Sequence, residues 1–211
     1  QLDQLRHRIN LISSWKKGGA SFEGAQIIDI GCGQGDQTVA LLGINEVRGV
    51  LGIDPGPPDY GNPFTLAQAQ GKLLASPLFQ HRVSFMQGNT VELLPNFNPG
   101  FFQTAIFSHC LWYFPSEKDV KASLAALKKA KVRNLAIAEW SIQVSRMEAI
   151  PHLLAALTHS LNNDKVANIR CMLSPIAIKR LALEAGWKLS HEELLPSPKV
   201  KDGQWEVEGA L

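Results

Sequence analysis

Three glycines at alternate positions follow a short apolar run in Ile27-Ile28-Asp29-Ile30-Gly31-Cys32-Gly33-Gln34-Gly35-Asp36. A glycine removes the Cβ where backbone must turn tightly or a ligand must come close. A helix opening behind such a turn offers unpaired N–H groups to an anion. The run therefore reads as a loop for a nucleotide-type cofactor, with a tight strand-to-helix turn as the bland alternative. Val47-Arg48-Gly49-Val50-Leu51-Gly52-Ile53-Asp54 is a second apolar run ending in a carboxylate. Asp54 falls about 20 residues past the glycines, where an acid at a strand end accepts hydrogen bonds from both ribose hydroxyls. Asp54 argues for an adenosine ribose and leaves the cofactor open. A dinucleotide loop, G-x-G-x-x-G, needs a glycine at position 36, which is Asp.

The pattern D-x-G-x-G-x-G, set by Asp29, Gly31, Gly33 and Gly35, resembles motif I of the class I S-adenosylmethionine (SAM) methyltransferases. The resemblance implies SAM as cofactor, S-adenosylhomocysteine (SAH) as product, and a cofactor site built from Asp29, Gly31, Cys32, Gly33, Gly35, Asp54 and Pro55. It adds Gly88, Asn89 and Thr90, since the family often places Gly-Asp after its third strand. Here that position reads Gly88-Asn89, a departure. An Asn oxygen can accept a hydrogen bond from the adenine amino group without the charge, or Asn89 is only a turn residue. Ser108 and His109 complete the set.

Ser108-His109-Cys110-Leu111-Trp112-Tyr113-Phe114 ends a fourth apolar run. In open α/β sheets ligands sit at the carboxyl ends of strands. His109 could meet the methionine part of the cofactor, act as the base toward an acceptor, or be a hydrogen-bonded structural histidine. Trp112 and Tyr113 could line an acceptor pocket or pack under the next helix, and Glu139 and Trp140 share that ambiguity. The family often folds an N-terminal helix over the cofactor as a lid, which would bring His7 and Trp15 to the acceptor. Met147 and His152 fall in an insertion able to close the same side. His152 and His159 otherwise read as solvated positions on one helical face.

These residues need elements to hold them. Leu2, Leu5, Ile9 and Ile12 recur at helical spacing over residues 2–14. Strands are predicted at 26–30, 48–54, 83–87, 104–109 and 134–140, and helices at 36–42, 65–75, 117–130 and 146–161. Ser174-Pro175 opens another helix and Gly186 ends it. Four prolines between Pro55 and Pro63 exclude regular structure there. Alternating strands and helices mean βαβ units around a parallel sheet. Two further strands, Trp187 to Leu195 and Gln204 to Leu211, have no helix between them and are expected to pair antiparallel. The fold class is α/β, a doubly wound seven-stranded sheet; the resemblance gives the order 3-2-1-4-5-7-6 with the last strand antiparallel. Residues 1–211 read as one domain, with a lid helix over 1–16 and an inserted cap at about 141–173.

Composition sets the bounds. With 45% hydrophobic and 19% charged residues and net charge +2, nucleic acid is not the favoured partner. No apolar run is long enough to cross a bilayer, so no membrane partner is expected. No signal-peptide pattern is expected in the given residues, which open at Gln1. Cys32, Cys110 and Cys171 suit neither a disulfide framework nor a zinc site, which fits a cytoplasmic setting. No metal is assigned. The reading is SAM-dependent methyl transfer to a small-molecule acceptor, with the acceptor atom and oligomeric state open. Its rival is a methyltransferase-fold protein that binds SAM without methyl transfer, and a nicotinamide dehydrogenase ranks third. The Asp54-Pro55-Gly56-Pro57-Pro58 loop and the Asp202-to-Val207 ending are similar to uncharacterised fungal methyltransferase-like proteins.

Overall fold

A computed structural model describes residues 2–44, 46–144, 146–161, 169–196, 200, 204, 207 and 208. The chain runs α1 (Leu2–Lys17), β1 (Gln26–Ile30), α2 (Asp36–Leu42), β2 (Gly49–Asp54), α3 (Leu66–Leu74), β3 (Val83–Gln87) and α4 (Thr90–Leu93). It continues through β4 (Thr104–Ser108), α5 (Glu117–Lys129), β5 (Asn134–Ala138), α6 (Ile150–Leu161) and α7 (Pro175–Glu184). The five strands form one parallel sheet in the order β3-β2-β1-β4-β5.

Strand side chains alternate between faces. Ile27 and Ile106 therefore join one apolar layer with Ala40, Leu41 and Leu42 of α2 and Ile12 of α1. Ile28, Ile30 and Phe107 join the other, with Leu124 and Leu127 of α5 and Trp187. The same alternation turns Asp29 and Ser108 toward α1 and α2. It thus delivers two polar side chains to the helix-covered face at the carboxyl end of the sheet.

Two expectations are corrected. The first is the terminal hairpin, because the sheet has five strands among the described residues. Residues 187–196 run without strand pairing. The Trp187 indole N–H donates to Leu124 O, and Lys128 Nζ sits 4.7 Å from its ring. Farther on, Ser14 Oγ donates to Glu193 at 2.7 Å and Ser190 Oγ to Gly18 O at 3.1 Å. Polar side chains tie this stretch to the end of α1, which supplies an alternative to ladder bonds at the β5 edge. Gln204, Val207 and Glu208 are helical, with Gln204 donating to Glu208 one turn on. The remainder of that expected strand, with the turn through Pro198 and Asp202-Gly203, lies outside the described residues.

The second correction concerns the face of α1. Leu2, Leu5 and Ile9 are exposed, while His7, Arg8, Leu11, Ile12 and Ser14 are buried. The helix turns polar side chains inward because the strand ends beneath it carry polar partners.

Candidate active site

The glycine turn is shaped by backbone that side chains tolerate poorly. Gly31, Gly33 and Gly35 have φ of +65°, +52° and +95°. A Cβ on Gly31 would lie 2.6 Å from Cys110 Cβ, and one on Gly35 would lie 2.7 Å from Leu73 Cδ1. A Cβ on Gly33 would meet nothing within 4 Å. The first and third glycines are thus required by packing, and the middle one faces open space.

Asp54 ends β2 beside that space. Its two carboxylate oxygens accept from Gly33 N and Gly56 N, each at 2.8 Å. Each oxygen keeps a second lone pair. Pro55 is exposed. A cleft of about 210 Å³ opens here, lined by Asp54, Pro58, Leu66, Gln70, Phe85 and Met86 among others. Gln70 Nε2 donates to Gly33 O at 2.8 Å, so α3 walls the turn. Sequence reading missed Gln70, since its position depends on where the proline-rich loop sets α3 down.

Gly88 has φ +143°, and its N–H donates to Asp54 O. Asn89 caps α4, its side-chain oxygen accepting from Val91 N and Glu92 N. That oxygen is committed to the helix, which favours the turn-residue alternative for Asn89. Thr90 is buried. Cys32 N and Gly31 N both donate to Ile53 O, and the Cys32 thiol is buried.

A second group of side chains gathers at the ends of β4 and β5. His109 has φ +55°, a strained setting for a non-glycine residue. Its Nε2 lies 2.8 Å from Nε2 of His7 on α1, so one ring donates and the other accepts. Its Nδ1 makes no hydrogen bond and lies 3.8 Å from Glu139 Oε1. Trp140 stacks on His109 at 4.1 Å and on His7 at 5.8 Å, and meets the edge of His152 at 5.8 Å. Trp140 is therefore the hub of three histidines from three separate elements. His152, offered from sequence as either an acceptor-side residue or a solvated one, is a member.

Burial controls the charges here. Burial first, then the charges of His109 and Arg8, lower His7 to about 4. Burial, then Arg8 and His152, holds His109 well below the usual range. His152 is also lowered by burial, with Glu139 opposing. The histidines are neutral at neutral pH. Burial raises Glu139 to about 7 against bonds from the Trp140, Leu111 and Trp112 N–H groups, and raises Asp29 to about 7 against a 2.6 Å bond from Thr38 Oγ1.

The sign of the linkage follows. Glu139 holds its proton to higher pH when folded, so its contribution is complete below about 4.5 and is lost as pH rises through about 7. His7 runs the other way: its share is complete above about 6.5 and is lost as pH falls through about 4. Replacing Glu139 by Gln removes only the first dependence. Between about pH 5 and pH 8 the wild type is expected to lose on the order of 2–3 kcal/mol relative to Glu139→Gln. Chemical denaturation at both pH values measures this, and a pH-independent difference contradicts it.

The remaining positions sort by burial. The Trp15 indole donates to Ile137 O and packs with the β1 and β2 layer, away from the histidines. Trp112 is buried and donates to Leu173 O. Each indole N–H is fixed to a backbone carbonyl, and the Trp112 ring lies 6.4 Å from that of His152. Tyr113 and Met147 are exposed at the outer surface. Arg8 was missed: buried, it donates to Ser108 Oγ at 3.1 Å, and Ser108 Oγ donates to Gln37 Oε1 at 3.1 Å. The available signal was spacing, since Arg8 lies on the helix stripe of Leu11 and Trp15. Among the described residues no three His, Cys, Asp or Glu side chains are placed to hold a metal ion. Nor is any described helix long and apolar enough to cross a membrane.

No family model matches the chain. Two curated relatives, methyltransferases phomM and phomM′ of Diaporthe leptostromiformis, are each 28% identical over 86% of this chain. The chain spans 58% of the length of those relatives. A solved cyclopropane-fatty-acyl-phospholipid synthase-like protein from Lactobacillus casei superposes with TM-score 0.83 at 30% identity, over 99% of this chain and 76% of that one. Magnesium protoporphyrin IX methyltransferase from Synechocystis PCC 6803, solved with bound SAH, shares the fold. Its TM-score is 0.58 at 14% identity, over 88% of this chain and 74% of that one. A glycine turn tied to an acid at the end of β2, on a sheet of this order and with these relatives, has one family meaning: the chain belongs to the class I SAM-dependent methyltransferases.

Proposed function

We propose that the chain transfers a methyl group from SAM to a small-molecule acceptor. One observation carries the reading: Asp54 holds the glycine turn so that the Gly33 position faces open space beside an apolar cleft. The residues fit the cofactor. The free lone pairs of Asp54 suit two ribose hydroxyls, and Leu66, Phe85 and Met86 suit a flat base. The Asn89 side-chain nitrogen, a donor, would meet a ring nitrogen of adenine better than its amino group. When bound, SAM supplies a sulfonium-activated methyl group.

The residues of this chain do the rest. Trp140 and the three histidines form a neutral, stacked cluster at the carboxyl ends of β4 and β5. His7 joins it from α1, and His152 joins it from α6. The neutral rings can take a proton from an acceptor that arrives protonated. Orientation and exclusion of water contribute most of the remaining rate enhancement. Tyr113 and Met147 lie at the exposed rim.

Asp54→Ala removes a charged acceptor of two hydrogen bonds, each worth about 1.5–3 kcal/mol. SAM affinity is expected to fall at least about tenfold in calorimetry. Circular dichroism of the variant checks that the turn and the Gly56 loop still fold. Unchanged affinity in the folded variant contradicts the ribose assignment. The activity itself is tested by incubating the protein with methyl-labelled SAM and a pool of small hydroxyl, amine and thiol compounds. Label is expected in a low-molecular-weight product, and retention of all label on SAM across the pool argues against the reading.

A further inference from the structure

We propose that Glu139 is the positioning residue for the base: facing His109 Nδ1, it keeps the ring proton on that nitrogen and leaves Nε2 bare toward the acceptor. This rests on His109 serving as the base in methyl transfer. The sheet builds the pairing. Ser108 lies opposite Ala138, and the His109 N–H donates to Ala138 O at 2.8 Å. His109 and Glu139 are the next residue on each strand and so stand side by side. His109 takes φ +55° there, a costly conformation that sets its ring between Glu139 and His7. Both side chains are nearly sealed, His109 at 6% and Glu139 at 3% exposure.

The tautomer follows from the partners. Glu139 Oε1 accepts from Trp140 N at 2.9 Å and Oε2 from Leu111 N at 2.8 Å, bonds that suit the ionised form. His109 Nδ1 lies 3.8 Å from Oε1 and makes no hydrogen bond. With Glu139 ionised, a bare Nδ1 would set two lone pairs against each other. A proton on Nδ1 turns the same contact into an attraction. Nε2 is then bare, and the 2.8 Å contact with His7 is a bond donated by the His7 Nε2–H. An acceptor hydroxyl that takes the place of that N–H gives its proton to the same lone pair. The O–H bond breaks, an N–H bond forms on Nε2, and the oxygen keeps the electron pair that bonds the methyl carbon as the carbon–sulfur bond breaks. The imidazolium so formed points its Nδ1–H at the carboxylate, and the gap between them is expected to close. The proton returns to water as product leaves.

Protonation of Glu139 reverses the arrangement. Its O–H then donates to a bare Nδ1, the His109 proton sits on Nε2, and the base is blocked. Burial brings this exchange near neutral pH by raising Glu139 to about 7. Facing Glu139 are Arg8 on α1, His109 and Cys110 past β4, and His152 on α6. Burial keeps the thiol and both rings neutral through that range. Asp29 is also raised to about 7, so a variant at Glu139 itself is needed to assign the step.

Proton–nitrogen correlation spectra of the protein with nitrogen-labelled histidine test this without any substrate. His109 signals are assigned by their loss in His109→Ala. At about pH 8 wild type should carry the His109 proton on Nδ1 and the His7 proton on Nε2, and at about pH 5.5 the His109 proton should sit on Nε2. Glu139→Gln offers an amide N–H in place of the carboxylate and should show the Nε2–H form of His109 at both pH values. With methyl-labelled SAM and a pool of phenols and alcohols, its turnover should fall at least about tenfold, with KM and SAM affinity little changed. Wild-type turnover should carry a step near the Glu139 value of about 7, above the fall set by the histidines, and the Gln variant should lack it. Glu139→Asp keeps the charge, so it should keep the Nδ1–H form and recover part of the turnover. A His109 proton on Nε2 in wild type at about pH 8 overturns the positioning role and leaves methyl transfer standing. Equal turnover losses in both variants, with the tautomers unmoved, overturn it as well and make Glu139 a structural residue only. The expected tautomers in a protein that binds no SAM remove the base role and the function reading together.

Discussion

Gly33→Val is expected to abolish SAM and SAH binding while the sheet stays folded. The Gly33 φ of +52° makes any side chain there cost about 1–2 kcal/mol, and a β-branched one somewhat more. A domain with ~5–15 kcal/mol of stability survives that. Apart from its chain neighbours, no described residue lies within 4 Å of the added Cβ, so the new side chain projects into the space assigned to the ligand. Gly31→Ala makes the contrast, because its Cβ would press on Cys110 at 2.6 Å and strain the fold itself. Calorimetry and thermal melts on both variants separate the effects. Gly33→Val should melt cooperatively and bind nothing. Tight SAH binding by that variant would place the cofactor elsewhere.

His109→Ala carries the other large effect. Its ring holds His7 by a 2.8 Å contact and stacks on Trp140 at 4.1 Å. Removing it takes away a neutral proton acceptor and the partner that fixes His7. Turnover is expected to fall by roughly 10²–10⁴ with SAM affinity little changed. His7→Phe keeps the stack on Trp140 and loses the ring nitrogens, so it should reproduce the turnover loss if α1 supplies chemistry as well as cover. Burial lowers both histidines, so the acid limb of the turnover profile should lie below the usual histidine range. Full turnover at saturating cofactor, with weakened SAM binding, would make His109 a cofactor-positioning residue instead.

The glycine turn and its tie to Asp54 were legible because they are local. Asp29, the three glycines and Asp54 lie within one β-α-β stretch, and their spacing alone carries the geometry. The histidine cluster is different in kind. His7, His109, Trp140 and His152 come from four separate parts of the chain, and no spacing rule joins them. His152 stayed open between an acceptor-side and a solvated position because a helical face says nothing about what a neighbouring strand end presents to it. The stripe of Leu2, Leu5 and Ile9 pointed the wrong way because a helix packed over polar strand ends buries its polar side. The five parallel strands were set by apolar runs closed by turn residues. The terminal hairpin failed because bonds from Ser14 Oγ to Glu193 and from Ser190 Oγ to the Gly18 carbonyl gave residues 187–196 another way to satisfy polar groups. The backbone carbonyls that hold the Trp15 and Trp112 indole N–H groups, on Ile137 and Leu173, lie far along the chain and had no signal in local spacing.

The central claim is that SAM occupies the space between the glycine turn and Asp54. A crystal structure of the chain with SAH tests it most directly. The account places the ribose hydroxyls on Asp54 and the adenine in the cleft of Leu66, Phe85 and Met86. SAH bound away from Asp54 and Gly33, or a nicotinamide dinucleotide taking that space in its stead, would contradict it.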